Sequence, residues 1–221
     1  MSAPLSNLLL AVAHPLEGEL LIRRGLPVTV LGVGKVAAAA TLSTHLAASK
    51  PDYVVLFGVA GAYPARHRSV AGVESIGAIR VVAESVLADE GVETEQGFSS
   101  LDEMQLGSVG PFVCAPEATA RLAQRLGQPA VRSATVSVCS GSERLSALRA
   151  KKFDAELETM ESAAVVSVAR AFDVPVVELR CVSNWTGDRD RGEFELAESS
   201  ARMQAQLLRW IESGELAESL R

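Results

Sequence analysis

Apolar runs of strand length alternate along this chain with segments of helical period, the pattern of an α/β fold with a largely parallel sheet. Strands are expected at 8–13, 28–33, 53–57, 78–83, 112–115, 134–139 and 174–182. Between them, 36–48 is alanine-rich behind Gly34, and 116–126 opens on Pro116, a residue suited to a first helical turn. The segment 160–171 is small and apolar almost all round and should be a buried helix. The segment 195–213 spaces Leu196, Met203, Leu207, Leu208 and Ile211 near the helical period with charges between, so it should cover one face of the sheet. The least regular stretch is 85–110; glycine, acids and polar residues outnumber apolar ones there, as in loops that are functional or mobile. No repeat and no long linker interrupts the alternation, so residues 1–221 are expected to form a single domain.

Composition narrows the function more than the fold. With 21 Lys plus Arg against 27 Asp plus Glu, the net charge is −6, which disfavours an electrostatic binder of nucleic acid or anionic membrane and favours a small-molecule ligand. The longest apolar stretch near the N-terminus, 8–13, is too short to span a bilayer, and no basic segment precedes it. Cys114, Cys139 and Cys181 sit singly in apolar runs and read as buried thiols of a reducing compartment, so the protein is expected in the cytoplasm. His14, His45 and His67 are scattered, and neither a metal nor a cofactor is expected.

Two glycine clusters invite a ligand. Gly32-Val33-Gly34-Lys35-Val36-Ala37 satisfies G-x-G-x-x-A at a strand-to-helix turn, where a pyrophosphate could meet a helix N-terminus. The fingerprint's acid should follow the next strand, but Asp52 precedes it. Val36 also stands where a P-loop needs Ser or Thr, so both readings are weak. The second cluster, Phe57-Gly58-Val59-Ala60-Gly61-Ala62, is expected just after a strand, where small residues admit a flat ligand or simply make a tight exit.

Glu17 and Glu161 each carry two readings. Glu17, past the first strand in Ala13-His14-Pro15-Leu16-Glu17, is a candidate general base at a sheet edge or a first-turn acid complementing a helix dipole. Glu161, at the head of an apolar helix, is a dipole partner or a polar group aimed at a ligand, and Met160 beside it is core filler or a surface for a sugar. Asn184, ending Arg180-Cys181-Val182-Ser183-Asn184, can donate and accept at the edge of a heterocyclic base, or can serve a turn.

Taken in order, Glu17, the Gly32-to-Ala38 run, Pro51-Asp52 leading to Gly58-Val59-Ala60-Gly61, Ile76-Gly77-Ala78-Ile79, Glu158 to Ala163 and Arg180 to Asn184 span nearly the whole chain. They resemble the nucleoside phosphorylase and nucleosidase family, which cleaves purine N-ribosyl bonds. The resemblance implies a three-layer α/β sandwich around a twisted central sheet, a small nucleoside substrate, and a homodimer or larger homo-oligomer. Phosphorylases of this family bind phosphate through a glycine-rich turn with an arginine after the first strand. Here His14-Pro15-Leu16-Glu17 stands there, so hydrolysis is implied, with Glu17 deprotonating water. Glu161 would bind the ribose hydroxyls and Met160 would pack on the sugar. Ala60 and Gly61 would line the pocket, and Phe98 would stack on the base or cover the site. The methylthioadenosine/S-adenosylhomocysteine branch carries aspartate where this chain has Asn184. An amide cannot protonate N7, but it suits a 6-oxopurine, so hypoxanthine is the implied leaving base. The branch that the 182–190 stretch most resembles acts on a nucleoside with a carboxylated tail, for which Arg66, His67 or Arg68 is a candidate partner. A nucleoside-binding protein without catalysis and a dinucleotide-dependent oxidoreductase are the rival readings; retention of both Glu17 and Glu161 speaks against the first and the place of Asp52 against the second.

Overall fold

The computed structural model describes residues 7–64, 76–188 and 195–221. Arg66, His67, Arg68 and the end of the 182–190 stretch therefore lie outside the described residues. The strands are β1 (Leu8–Val12), β2 (Val28–Val30), β3 (Tyr53–Ala62), β4 (Ile79–Leu87), β5 (Gly91–Thr94), β6 (Gly97–Ser100), β7 (Phe112–Val113), β8 (Val131–Thr135), β9 (Leu157–Thr159) and β10 (Val176–Trp185). The helices are α1 (Glu19–Arg23), α2 (Lys35–Ala48), α3 (Pro116–Leu126), α4 (Glu143–Phe153), α5 (Ser162–Ala171), α6 (Leu196–Ser213) and α7 (Glu215–Ser219).

The sheet is mixed. Five strand pairings are parallel, β1 with β2 and β3, β3 with β10, β4 with β8, and β8 with β9. Three are antiparallel, β10 with β4, β3 with β9, and β4 with β7. β3 organises the whole. One edge pairs with β10 along nearly its full length, while the other edge pairs with β1 through its first half and with β9 through its last two residues. The path β3–β10–β4–β8–β9 thereby closes back on β3, and β1 and β2 extend from it.

Alternation along these strands feeds two cores. Leu10, Val12, Val55, Phe57, Val177 and Leu179 pack with Met203, Leu207 and Trp210 of α6 and with Ala118 and Leu122 of α3. The intervening Leu9, Ala11, Val54, Leu56 and Val176 pack with Ala38, Leu42 and Leu46 of α2 and with Val165, Val166 and Ala169 of α5. β3 is buried on both faces, which is why it reads as a continuous apolar run.

Several expected boundaries move. β2 ends at Val30, leaving Gly32 and Val33 in the turn before α2. β3 runs on to Ala62, so the second glycine cluster lies inside the strand and not after it. β8 begins at Val131 and ends at Thr135, which puts Cys139 in the following loop. β10 runs to Trp185, making Asn184 a strand residue. The irregular stretch 85–110 contains a two-stranded hairpin, β5–β6. Three helices went unforeseen, of which α4 carried a local signal: Ser142 accepts the Leu145 N–H at its N-cap.

Candidate active site

A cavity of about 320 Å³ opens where the C-terminal ends of β1, β3, β9 and β10 converge. Glu17, Ala60, Gly61, Met160, Glu161 and Asn184 all line it, so the structure brings together six of the seven residues singled out from the sequence. Phe98 is the exception. It lies on β6 with its ring 6.2 Å from that of Phe153 and beneath the Lys152 ammonium, so its apolar face is already spent on α4.

The chain leaves β1 through a 3₁₀ turn, Pro15–Glu17, started by Pro15 and capped by His14. Glu17 folds back over this turn. Its Oε2 accepts the N–H groups of Ala13 at 3.1 Å and His14 at 3.0 Å, and its Oε1 accepts the Val59 N–H at 2.9 Å. The carboxylate is thus both a turn cap and part of the cavity wall. Its bridge to β3 depends on Gly58, where a Cβ would stand 2.2 Å from Glu17 Oε1.

Glu161 occupies the N-cap position of α5 but makes no cap bond to its own helix. Its Oε1 instead accepts the Gly34 N–H at 2.8 Å. Gly34 itself, at φ 92°, opens α2 in a conformation that favours glycine. One amide of the Gly32–Ala37 turn is thus taken by a side chain of the same protein. Lys35 is also engaged, at 2.6 Å from Asp89 and 3.0 Å from Glu90.

The buried Arg180 guanidinium lies behind the two cavity carboxylates. Arg180 Nε donates to Glu178 Oε1 at 2.8 Å, Nη2 to Ser162 Oγ at 3.2 Å and Nη1 to the Val59 carbonyl at 3.3 Å. Burial opposes its charge, but Glu178, Glu161 and Glu17 together hold its pKa above the ordinary arginine value. Glu161 is held above the usual carboxylate range by burial; Arg180 and the Gly34 bond oppose this, and Glu17 and Glu178 reinforce it. Sequence reasoning missed Glu178 and the role of Arg180, although a charged E-x-R step in an otherwise apolar strand is a usable signal.

The opposite wall is neutral at its centre. A register shift between Val182 and Asn184 makes Ser183 the extra residue of a bulge and pairs Asn184 with Gly61. Asn184 Nδ2 donates to the Trp185 carbonyl at 3.0 Å, and its Oδ1 accepts from Ser183 Oγ at 2.9 Å. Because a carbonyl only accepts, these two bonds fix the amide's orientation and leave one N–H and one oxygen lone pair to spare. Farther along stands Glu158, also unforeseen, which accepts from Tyr63 Oη at 2.7 Å and from the Ser140 N–H at 2.8 Å. Cys139 lines the cavity and is half-buried, unlike the buried Cys114 and Cys181.

The profile of the Phosphorylase superfamily matches residues 18–211, and the chain belongs to this family. It is 33% identical over 171 residues to futalosine hydrolase of Thermus thermophilus, covering 76% of this chain and 73% of that protein. It is 32% identical over 185 residues to 5′-methylthioadenosine/S-adenosylhomocysteine nucleosidase of Actinobacillus succinogenes, covering 80% and 74%. In fold it is similar to the Helicobacter pylori 5′-methylthioadenosine/S-adenosylhomocysteine nucleosidase crystallised with butyl-thio-DADMe-Immucillin-A, at TM-score 0.74 and 17% identity over 93% of this chain and 97% of that one. The native futalosine hydrolase of Helicobacter pylori aligns at TM-score 0.69 and 17% identity over 96% of each chain.

Proposed function

We propose that this protein hydrolyses the N-ribosyl bond of futalosine, releasing hypoxanthine and dehypoxanthine futalosine, a step of menaquinone biosynthesis. The observation that carries the reading is the pair of buried carboxylates, Glu17 and Glu161, lining one cavity with an amide, Asn184. The kinship with futalosine hydrolases supports the choice of substrate.

In this reading the ribose passes through an oxocarbenium-like state as the base departs. Glu17 takes a proton from the attacking water, an assistance typically worth about 10² to 10⁴-fold. Three backbone N–H groups point its carboxylate without any side chain that could swing away. Glu161 holds ribose hydroxyls and offsets positive charge on the sugar, with the buried charge of Arg180 acting on both acids through space. Met160 packs on the sugar, Ala60 and Gly61 leave room for the base, and Asn184 donates to O6 while accepting from N7–H, whose proton the departing base takes from solvent. The methylthioadenosine nucleosidase reading is kept open by the relative of that name, and Asn184 argues against adenine as the leaving base.

The test is product analysis. Incubation with futalosine should release hypoxanthine at a rate independent of added phosphate, leaving a free hydroxyl at C1′. A C1′ phosphate ester, or faster release from methylthioadenosine than from futalosine, would overturn the reading.

A further inference from the structure

We propose that Gln204 of α6, assisted by Ser200, is a positioning residue for the general base: it fixes the turn on which Glu17 stands. The inference rests on the role given to Glu17 above and deepens it. The peptide unit that leads into Glu17 is held at both ends. Its N–H, that of Glu17, donates to the His14 carbonyl at 2.9 Å within the turn. Its carbonyl, that of Leu16, accepts from Ser200 Oγ at 3.1 Å and from Gln204 Nε2 at 3.0 Å, side chains 184 and 188 positions away. Beyond Glu17, Gln204 Oε1 accepts the Leu20 N–H at 2.7 Å. That N–H belongs to the first turn of α1, a helix of five residues whose N-cap, Gly18, has no side chain to cap it. One amide therefore grips the chain just before Glu17 and again three residues after it.

The orientation of that amide is determined by its partners. A backbone N–H only donates and a backbone carbonyl only accepts, so Oε1 must face Leu20 and Nε2 must face Leu16. The other side of Nε2 meets the Ser200 carbonyl at 3.2 Å and Ser200 Oγ at 3.1 Å, one helical turn back. Gln204 and Ser200 are both buried, so water has little access to these bonds. Packing does not require polar groups there. Met203 and Leu207 already seat α6 in the apolar core, and a buried amide costs stability unless its groups are bonded. The carboxylate's own bonds do not replace the clamp: two of its three donors, Ala13 and His14, lie on the chain entering the turn, and only the Val59 N–H lies on another element. The same helix also reaches the opposite wall. Leu196 at its start lines the cavity, Ser199 Oγ donates to the Val182 carbonyl at 3.0 Å, and the Glu195 N–H donates to the Ser183 carbonyl at 2.9 Å. Through α6, the Glu17 turn is set against the strand that carries Asn184.

A double-mutant cycle separates positioning from a merely structural role. Gln204→Met keeps the length of the side chain and none of these hydrogen bonds. Its single-turnover release of hypoxanthine from futalosine should fall by about 10- to 100-fold, the cost of a base displaced by up to about 1 Å, while hypoxanthine binding stays as in the wild type. In a Glu17→Gln background the same change should lower the residual rate no further, because a residue that acts through Glu17 has nothing left to position. Hydrogen–deuterium exchange adds a readout that needs no turnover: the amides of 13–20 should exchange faster in Gln204→Met, and those of β3 and β10 should not. A wild-type rate in folded Gln204→Met, losses that multiply in the double variant, or unchanged exchange across 13–20 would each overturn the proposal. Where Gln204→Met does not fold, Ser200→Ala, which removes only a hydroxyl, undergoes the same comparisons with an expected loss of about 2- to 10-fold, the range for one neutral hydrogen bond. Absence of futalosine turnover in the wild type counts against the parent reading alone, and the exchange comparison then decides whether Gln204 holds the turn.

Discussion

The two walls of the cavity are built on opposite electrostatic plans. Behind the wall formed by Glu17 and Glu161 lie Glu178 and the buried Arg180, whose charge the three acids share, and Glu178 Oε2 is left without a hydrogen-bond partner. Along the opposite wall, Asn184 has both halves of its amide bonded and Glu158 is ringed by donors. An excess of buried negative charge costs stability but stands ready for a cationic transition state. A satisfied polar edge costs little and discriminates by geometry. Substitutions on the first wall should therefore change rate, and those on the second should change the ratio between substrates.

The largest effect is expected from Glu17→Gln. Turnover should fall by about 10² to 10⁴-fold, with base binding nearly unchanged because the purine contacts lie on the other wall. Parallel single-turnover rates and hypoxanthine titrations measure both. Wild-type turnover in the variant would reduce Glu17 to the turn cap that its bonds to Ala13 and His14 already make it.

Next in size is Asn184→Asp, which should lower release of 6-oxopurines and raise that of adenine. The carboxylate repels O6 and can carry a proton to N7. A fully unpaired edge is worth about 10⁴-fold, but the swap keeps an acceptor for Ser183 Oγ, so a smaller shift in the ratio of kcat/KM values is expected. Rates on matched inosine-type and adenosine-type substrates across pH 5 to 8 provide it. A constant ratio would mean that Asn184 does not face the base.

How much of this was readable beforehand follows from where each residue finds its partners. β1 and β3 announce themselves because both faces of each are apolar, and β10 because only Glu178 and Arg180 interrupt an apolar run; Glu17 stands beyond β1, Asn184 near the end of β10, and Glu161 at the head of the apolar α5. β5 is exposed along its whole length and β9 has three residues, so neither leaves a periodic trace. Glu158 is defined by Tyr63, 95 positions away, and by Ser140, 18 away, contacts that no local window contains. Phe98 shows the same limit, since its ring contact with Phe153 on α4 also lies outside any local window.

The smallest effect expected is one of stability, and its sign tests the cost assigned to the wall that carries Glu17 and Glu161. Glu161 is held above its ordinary value of 4.5, chiefly by burial. A carboxyl with a raised folded pKa binds its proton more tightly in the native state, so ionisation penalises folding. That penalty is absent below the ordinary value, grows as pH rises toward the raised one and is complete above it. Glu161→Gln removes the ionisation while keeping an oxygen for the Gly34 N–H. The variant should lose activity yet melt a few degrees higher at neutral pH, and the gain should fade as pH falls below the ordinary carboxylate range. Melting curves of both proteins at several pH values decide the matter. A variant that melts lower at neutral pH would mean that the pull of Arg180 on Glu161 outweighs burial, and that the crowded wall stabilises the fold it was argued to tax.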